Sequence, residues 1–84
     1  MFCGIIEHTA KILNRENGTF RVENTIQEPL QIGQSIAHDG ACMTITNSEK
    51  SYYEFFCMQE SISITNFSTK KIGDTFNVER SLKL

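Results

Sequence analysis

The sequence has no tryptophan, a single proline and no long apolar run. A membrane-spanning helix needs about 20 apolar residues, so no candidate span is present. The first residues also lack the basic leader of a secretory signal. Basic residues are not in excess, since eight Lys and Arg stand against ten Asp and Glu. Nucleic acids and anionic membranes favour a basic face, so we expect neither as a partner.

Cysteine and histidine are scarce and scattered. The three cysteines, Cys3, Cys42 and Cys57, are odd in number and far apart. A disulfide framework would need an even count, and a zinc site would need close pairs. His8 and His38 are too isolated to form a metal pair, so we expect both to be structural or solvated. The pattern favours a cytoplasmic protein with reduced thiols and no metal.

The residues that are present suffice for one small domain over residues 1–84. Hydrophobic residues make up 39% of the chain and include six Phe, which supports a modest core. Asn17-Gly18 and Asp39-Gly40 are strong signals for two-residue hairpin turns, because a type I′ turn needs positive φ at both central positions.

Short segments of strand-like pattern lie between the turn signals and predict six strands. The predicted segments are residues 2–13, two strands within 34–46, and residues 19–23, 52–58 and 75–80. We expect Ile5, Ile6, Ile12 and Leu13 to make the first strand mostly buried. An antiparallel barrel or sandwich follows, with closure favoured because it removes exposed edges.

The segment 60–67 is ambiguous. Ile62 and Ile64 alternate as in a strand, whereas Ser61 could cap a single helical turn. We favour the short helical turn. Polar residues at 47–51 and 70–74 predict the remaining turns.

One face of the predicted central hairpin carries small polar side chains. Alternation places Cys42, Thr44 and Thr46 opposite the bulky Met43 and Ile45. A flat ligand could approach this face closely, which makes it the candidate binding surface. The alternative for Cys42 is a small, buried and inert thiol, a common fate of cysteine.

Four segments in register resemble the riboflavin synthase family of lumazine-binding barrels. They are MFCGIIE at 1–7, SIAHDGACMTIT at 35–46, MQESISITN at 58–66 and GDTFNVER at 73–80. The family patterns are MFTGIIE, S-[VI]-A-x-[ND]-G-x-C-L-T-V-T, M-x-E-T-L-x-x-T-N and G-D-x-[VL]-N-[VL]-E-R. Departures include Asp39 in place of Asn and Ser61 in place of Thr. Either residue suits the turn, and Ser61 keeps the hydroxyl.

The resemblance implies an all-β, six-stranded antiparallel Greek-key barrel that forms the first half of a tandem two-barrel enzyme. The family reaction is a dismutation, in which two molecules of 6,7-dimethyl-8-ribityllumazine yield riboflavin and 5-amino-6-ribitylaminouracil. It needs no metal or redox cofactor. We expect a homodimer for the isolated barrel, which would be weakly active or inactive, and a homotrimer for a full two-barrel chain.

The resemblance also implies the site residues. Cys42 and Ser35 take the catalytic roles, through polar contact or help with proton transfer. Phe2 either covers the ring or packs in the core. The ligand-binding set is Gly4, Ile5, Ile6, Cys42, Met43, Thr44, Phe56, Cys57, Met58, Gln59, Glu60 and Ser61. The main alternative is a non-catalytic lumazine or flavin binder of the antenna type. An oligonucleotide-binding barrel is disfavoured by the negative charge.

Overall fold

Six short antiparallel strands pair in the order β1-β2-β5-β4-β3-β6 and close into a barrel in the computed structural model. The structure describes residues 8–26, 29–58 and 66–80. The strands are β1 (His8–Glu16), β2 (Thr19–Glu23), β3 (Ser35–His38), β4 (Ala41–Ser48), β5 (Tyr52–Phe56) and β6 (Thr75–Arg80), with a 3-10 turn at Asn66–Thr69. Strands β3, β4 and β5 are successive neighbours and β6 returns to lie beside β3, which is a Greek key. The predicted fold is confirmed.

Both predicted hairpin turns have the backbone that their sequences require. Asn17 and Gly18 have φ of 50° and 87°, and Asp39 and Gly40 have φ of 50° and 86°. Asn, Asp and Gly tolerate this left-handed region better than other residues do. The turns therefore fix the register of β1 with β2 and of β3 with β4.

The core is an aromatic cluster inside the barrel. Phe20 stacks on Phe55 with ring centroids 5.3 Å apart, and Phe67 meets Phe76 at 4.9 Å. Phe67 comes from the 3-10 turn and is fully buried. The Arg15 guanidinium holds that turn in place by donating hydrogen bonds to the carbonyls of Phe67 (2.8 Å) and Lys70 (2.5 Å). Within the described ranges, no helix has the length and apolar character needed to cross a membrane.

The first strand differs from its prediction. Leu13 was expected to be buried, but its side chain is 41% exposed. Ile12 pairs with Val22 whereas Asn14 pairs with Arg21, so Leu13 is the extra residue of a β-bulge. A bulge interrupts the alternation of faces and turns its extra residue out of the ladder. Strand β1 also continues to Glu16.

The bounds of other elements differ from their predicted bounds by a few residues. Strand β5 ends at Phe56, two residues earlier than predicted. The 3-10 turn starts at Asn66, so it overlaps only the end of the predicted helical turn over 60–67. Residues 60–65 and residues 2–7 lie outside the described ranges.

Candidate functional site

The β3–β4 hairpin presents the predicted polar face on the outside of the barrel. Ser35 pairs with Thr44, and Ala37 pairs with Cys42. Directly opposed residues of an antiparallel pair project from the same side, with Cβ atoms about 5 Å apart. Cys42 and Thr44 are exposed and Ser35 is half-buried. Two hydroxyls and a thiol therefore share one small patch, which we call the hairpin face (Ser35, Cys42 and Thr44).

The next strand adds apolar groups beside this face. Ile45 pairs with Phe55, and both side chains are buried in the core. Thr44, which precedes Ile45, and Phe56, which follows Phe55, therefore turn outward at the same end of the two antiparallel strands. Phe56 is 52% exposed, and Met58 just beyond it is 59% exposed. An aromatic ring and a thioether next to polar hydroxyls suit a flat, amphipathic heterocycle.

Two predicted site residues direct their side chains into the barrel. Met43 packs partly buried against the core, and Cys57 is only 2% exposed within it. Burial raises the pKa of the Cys57 thiol, although the nearby Arg15 charge opposes this shift. The Cys57 amide donates to the Gly18 carbonyl at 2.8 Å. Because the side chains of Met43 and Cys57 point inward, only their main-chain groups are available to a ligand on the outer surface.

His38 lies inside the barrel on the opposite side of the hairpin. Its side chain is fully buried, with Nε2 2.6 Å from the Tyr53 hydroxyl and Nδ1 3.1 Å from the Ile36 carbonyl. Burial lowers the pKa of His38 to about 4, against opposing effects of the Ile36 carbonyl and the Asp39 charge. Burial likewise raises the pKa of Tyr53. His38 is thus a structural residue, as one of the two sequence interpretations had it.

The turn beside the hairpin face contains a residue that sequence reasoning missed. Asp39 was read only as a turn former, but its carboxylate bonds three groups: the Asn77 amide, the Asn66 side chain and Lys70. The only local signal was an acidic residue in a hairpin turn, and that signal does not identify distant partners.

A polar cleft of about 600 Å³ lies beside this turn and reaches Ala37, the strand partner of Cys42. A second cleft of about 730 Å³ is lined by residues that include Pro29, Leu30 and Ser48, and it contains none of the predicted site residues. No residue of the hairpin face lines either of these two clefts, and the first cleft is related to that face only through Ala37.

Part of the predicted site lies outside the described residues. That part comprises Phe2, Gly4, Ile5, Ile6, Gln59, Glu60 and Ser61. In the part of the chain that the structure does describe, no three His, Cys, Asp or Glu side chains are grouped to hold a metal ion.

Residues 3–81 match the family described as "Lumazine binding domain". The chain belongs to this lumazine-binding family. Riboflavin synthase of Escherichia coli (strain K12) is 37% identical over 89 residues, covering 99% of this chain and 42% of that protein. Riboflavin synthase of Brucella abortus (strain 2308) is 34% identical, covering 100% of this chain and 46% of that protein.

A third relative, riboflavin synthase of Bacillus subtilis (strain 168), is 31% identical and covers 98% of this chain and 40% of that protein. The lumazine-binding domain thus spans less than half the length of these relatives. Its similarity to enzymes named riboflavin synthase confirms the resemblance read from the four sequence segments.

Proposed function

We propose that this domain binds 6,7-dimethyl-8-ribityllumazine and riboflavin on the hairpin face, as one barrel of a riboflavin synthase. The observation that carries the proposal is the hairpin face, in which Cys42 and Thr44 are exposed and Ser35 is half-buried, with Phe56 and Met58 at its border, in a chain of the lumazine-binding family. The hydroxyls can donate or accept hydrogen bonds with a pteridine edge or a ribityl chain. The exposed apolar side chains cover the ring.

The proposed reaction is a transferase step between two identical lumazines. One molecule passes a four-carbon unit to the other, which leaves riboflavin and 5-amino-6-ribitylaminouracil. Catalysis is mainly positioning, because holding two substrates face to face converts a bimolecular encounter into a local one. The acidic 7-methyl group must also lose a proton. Cys42 and Ser35 are the proposed groups near that proton, and no metal or redox cofactor forms part of the proposal.

The rest of the binding wall is proposed from the resemblance. Gly4, Ile5 and Ile6 would contact the ligand through the main chain, and the segment from Phe56 to residue 61 would bracket the ring. A complete reaction site would form between two barrels, in a homotrimer of two-barrel chains. The 84-residue chain alone would supply half of such a site and turn over slowly or not at all.

The test is a fluorescence titration of the 84-residue chain with riboflavin and, separately, with 6,7-dimethyl-8-ribityllumazine. We expect saturable binding of both at one site per barrel, and weaker binding in Cys42→Ala. Absence of binding at millimolar ligand would refute the proposal. Riboflavin formation from the lumazine, measured in parallel, separates an enzyme from a non-catalytic antenna-type binder, which would bind without turnover even beside a complementary second barrel.

A further inference from the structure

The turn between β1 and β2 contacts the aromatic border of the hairpin face. A Cβ at Gly18 would lie 3.0 Å from Cε1 and 3.5 Å from Cδ1 of Phe56. One edge of the Phe56 ring therefore occupies the space that a side chain at residue 18 would need. Phe56 is still 52% exposed, so the rest of the ring has a free surface that a ligand can reach.

The same turn fixes the main chain at the end of β5. The Cys57 amide donates a hydrogen bond to the Gly18 carbonyl at 2.8 Å. A Cβ at Gly18 would also lie 2.8 Å from the Cys57 carbonyl oxygen. Thr19, the next residue of the turn, pairs with Phe56 in the β2–β5 ladder. Phe56 is thus held to the turn through its ring, through its strand partner and through the residue that follows it.

The turn is a firm support, because ladder pairs and the core both constrain it. Gly18 has the positive φ of a type I′ turn, 87°, and Glu16 pairs with Thr19 across the base of the turn. On the inner side of the barrel, Phe20 stacks on Phe55 with ring centroids 5.3 Å apart. The core therefore keeps β2 and β5 in register up to the turn.

A side chain at residue 18 would displace the end of β5 more readily than the turn. A separation of 2.8 Å between a Cβ and a main-chain oxygen is shorter than van der Waals contact, so one of the two segments must move. The turn is closed by pairing on both of its sides, whereas Phe56 is the last residue of β5. Movement of that strand end changes the position of the Phe56 ring relative to Thr44 on β4.

We propose that Gly18 is a positioning residue for the lumazine site: by leaving room for one edge of the Phe56 ring, it sets the place of that ring beside the hairpin face. The inference rests on the proposed function, because it concerns the affinity of that same site. Gly18 acts through Phe56 and is not assigned a contact with the ligand.

The test compares riboflavin affinity in Gly18→Ala, Phe56→Ala and the double variant. Gly73→Ala is the matched control, because Gly73 also has a positive φ, 95°, and a Cβ there would meet nothing within 4 Å. The control therefore reproduces the backbone strain of Gly18→Ala without the contact with Phe56. Titrations are run below the unfolding temperature of every variant, measured by circular dichroism.

We expect about tenfold weaker riboflavin binding in Phe56→Ala, as for the loss of an aromatic contact with the ligand ring. Gly18→Ala should weaken binding about fivefold, because the displaced ring keeps part of that contact. The double variant should bind about as well as Phe56→Ala alone, since residues in contact are not additive. Gly73→Ala should stay within about twofold of the unmodified chain.

A second measurement keeps the inference testable if Gly18→Ala does not fold. In the NMR spectrum of the unmodified chain, nuclear Overhauser effects should connect the Gly18 α protons with the Phe56 ring protons. These effects should persist when riboflavin is added, while the Phe56 ring signals shift. Their loss on binding would show that the ring leaves Gly18 to meet the ligand, and the positioning role would be wrong.

The affinities can overturn the inference in distinguishable ways. If the unmodified chain binds riboflavin and Gly18→Ala matches Gly73→Ala, Gly18 only shapes the turn and the positioning role is wrong. The role is equally wrong if Gly18→Ala weakens binding by the same factor with and without the Phe56 ring. If the unmodified chain binds neither riboflavin nor the lumazine, the proposed function fails and the positioning role fails with it.

Discussion

A change to the single side chain of Thr44 tests whether the hairpin face binds the ligand. Thr44→Val keeps the shape of the residue and removes the hydroxyl. If that hydroxyl meets the ligand, the unpaired polar group left behind should weaken binding by about 1–3 kcal/mol. Folding should change little, because Thr44 is exposed. Riboflavin titration and thermal unfolding of the same sample measure both quantities.

Thr46→Val is the control for this change. Thr46 is exposed on the same strand, but its hydroxyl donates to the Glu54 carbonyl at 3.3 Å and it is not assigned to the site. Its riboflavin affinity should equal that of the unmodified chain. If Thr44→Val binds normally while its melting temperature drops, Thr44 is structural and the assignment of the face is wrong.

His38 makes the barrel sensitive to mild acid. Its pKa falls from 6.5 to about 4 in the folded state, so between these values the unfolded chain binds more protons. Stability should therefore decrease as the pH falls from 6.5 towards 4, by about 3 kcal/mol in total. Asp39, with an ordinary value of 3.8 and a lowered pKa, contributes only below this window.

Urea unfolding at intervals between pH 7 and pH 4 measures the effect. His38→Gln, which keeps a hydrogen-bonding side chain without the titration, should be less stable at pH 7 and should lose less stability across the window. An equal loss in both proteins would show that His38 is not the group responsible.

At the scale of elements, the two glycines of the type I′ turns form a natural comparison. Gly18 and Gly40 have nearly the same φ, so alanine at either position should lose about 1–2 kcal/mol from backbone strain alone. A Cβ at Gly18 would also lie 2.8 Å from the Cys57 carbonyl oxygen, whereas a Cβ at Gly40 would meet nothing within 4 Å. Gly18→Ala should therefore be clearly the less stable variant in thermal unfolding, and equal melting temperatures would contradict this.

The hairpins were predictable because their signals are local. Asn-Gly and Asp-Gly specify the turn without reference to any other strand, and the alternation after Asp39-Gly40 correctly placed Cys42, Thr44 and Thr46 outward. The bulge at Leu13 was not predictable, because it depends on the register against β2. The three partners of Asp39 lie on distant parts of the chain and meet only in the folded barrel, so these contacts could not be predicted from the sequence.

For the molecule as a whole, we predict a homodimer. The exposed Phe56 and Met58 border the proposed site, and exposed apolar patches commonly mark interfaces. A second copy, related by a two-fold axis, is the simplest partner for a single barrel. Each barrel would then stand in for the other half of a two-barrel site. Light scattering at micromolar protein, with and without riboflavin, measures the mass.

A monomer under both conditions would refute the dimer. Turnover equal to that of a full two-barrel enzyme would refute the separate prediction that the dimer catalyses the reaction poorly. Two copies of one barrel present the same groups to both substrates, whereas the proposed native pair differs on its two sides, so efficient catalysis by the dimer is not expected.

The barrel closes by pairing β1 with β6, the first and last strands of the described residues. A ribosome must therefore release residues 75–80 before the ring can form, and until then β1 and β3 each lack one of their neighbours. Contacts between such distant parts of a sequence slow folding, typically to milliseconds or seconds for barrels of this kind. The newly made chain consequently passes through an interval in which both unpaired strands are open to other chains. Its yield in a cell is set partly by how quickly that interval ends.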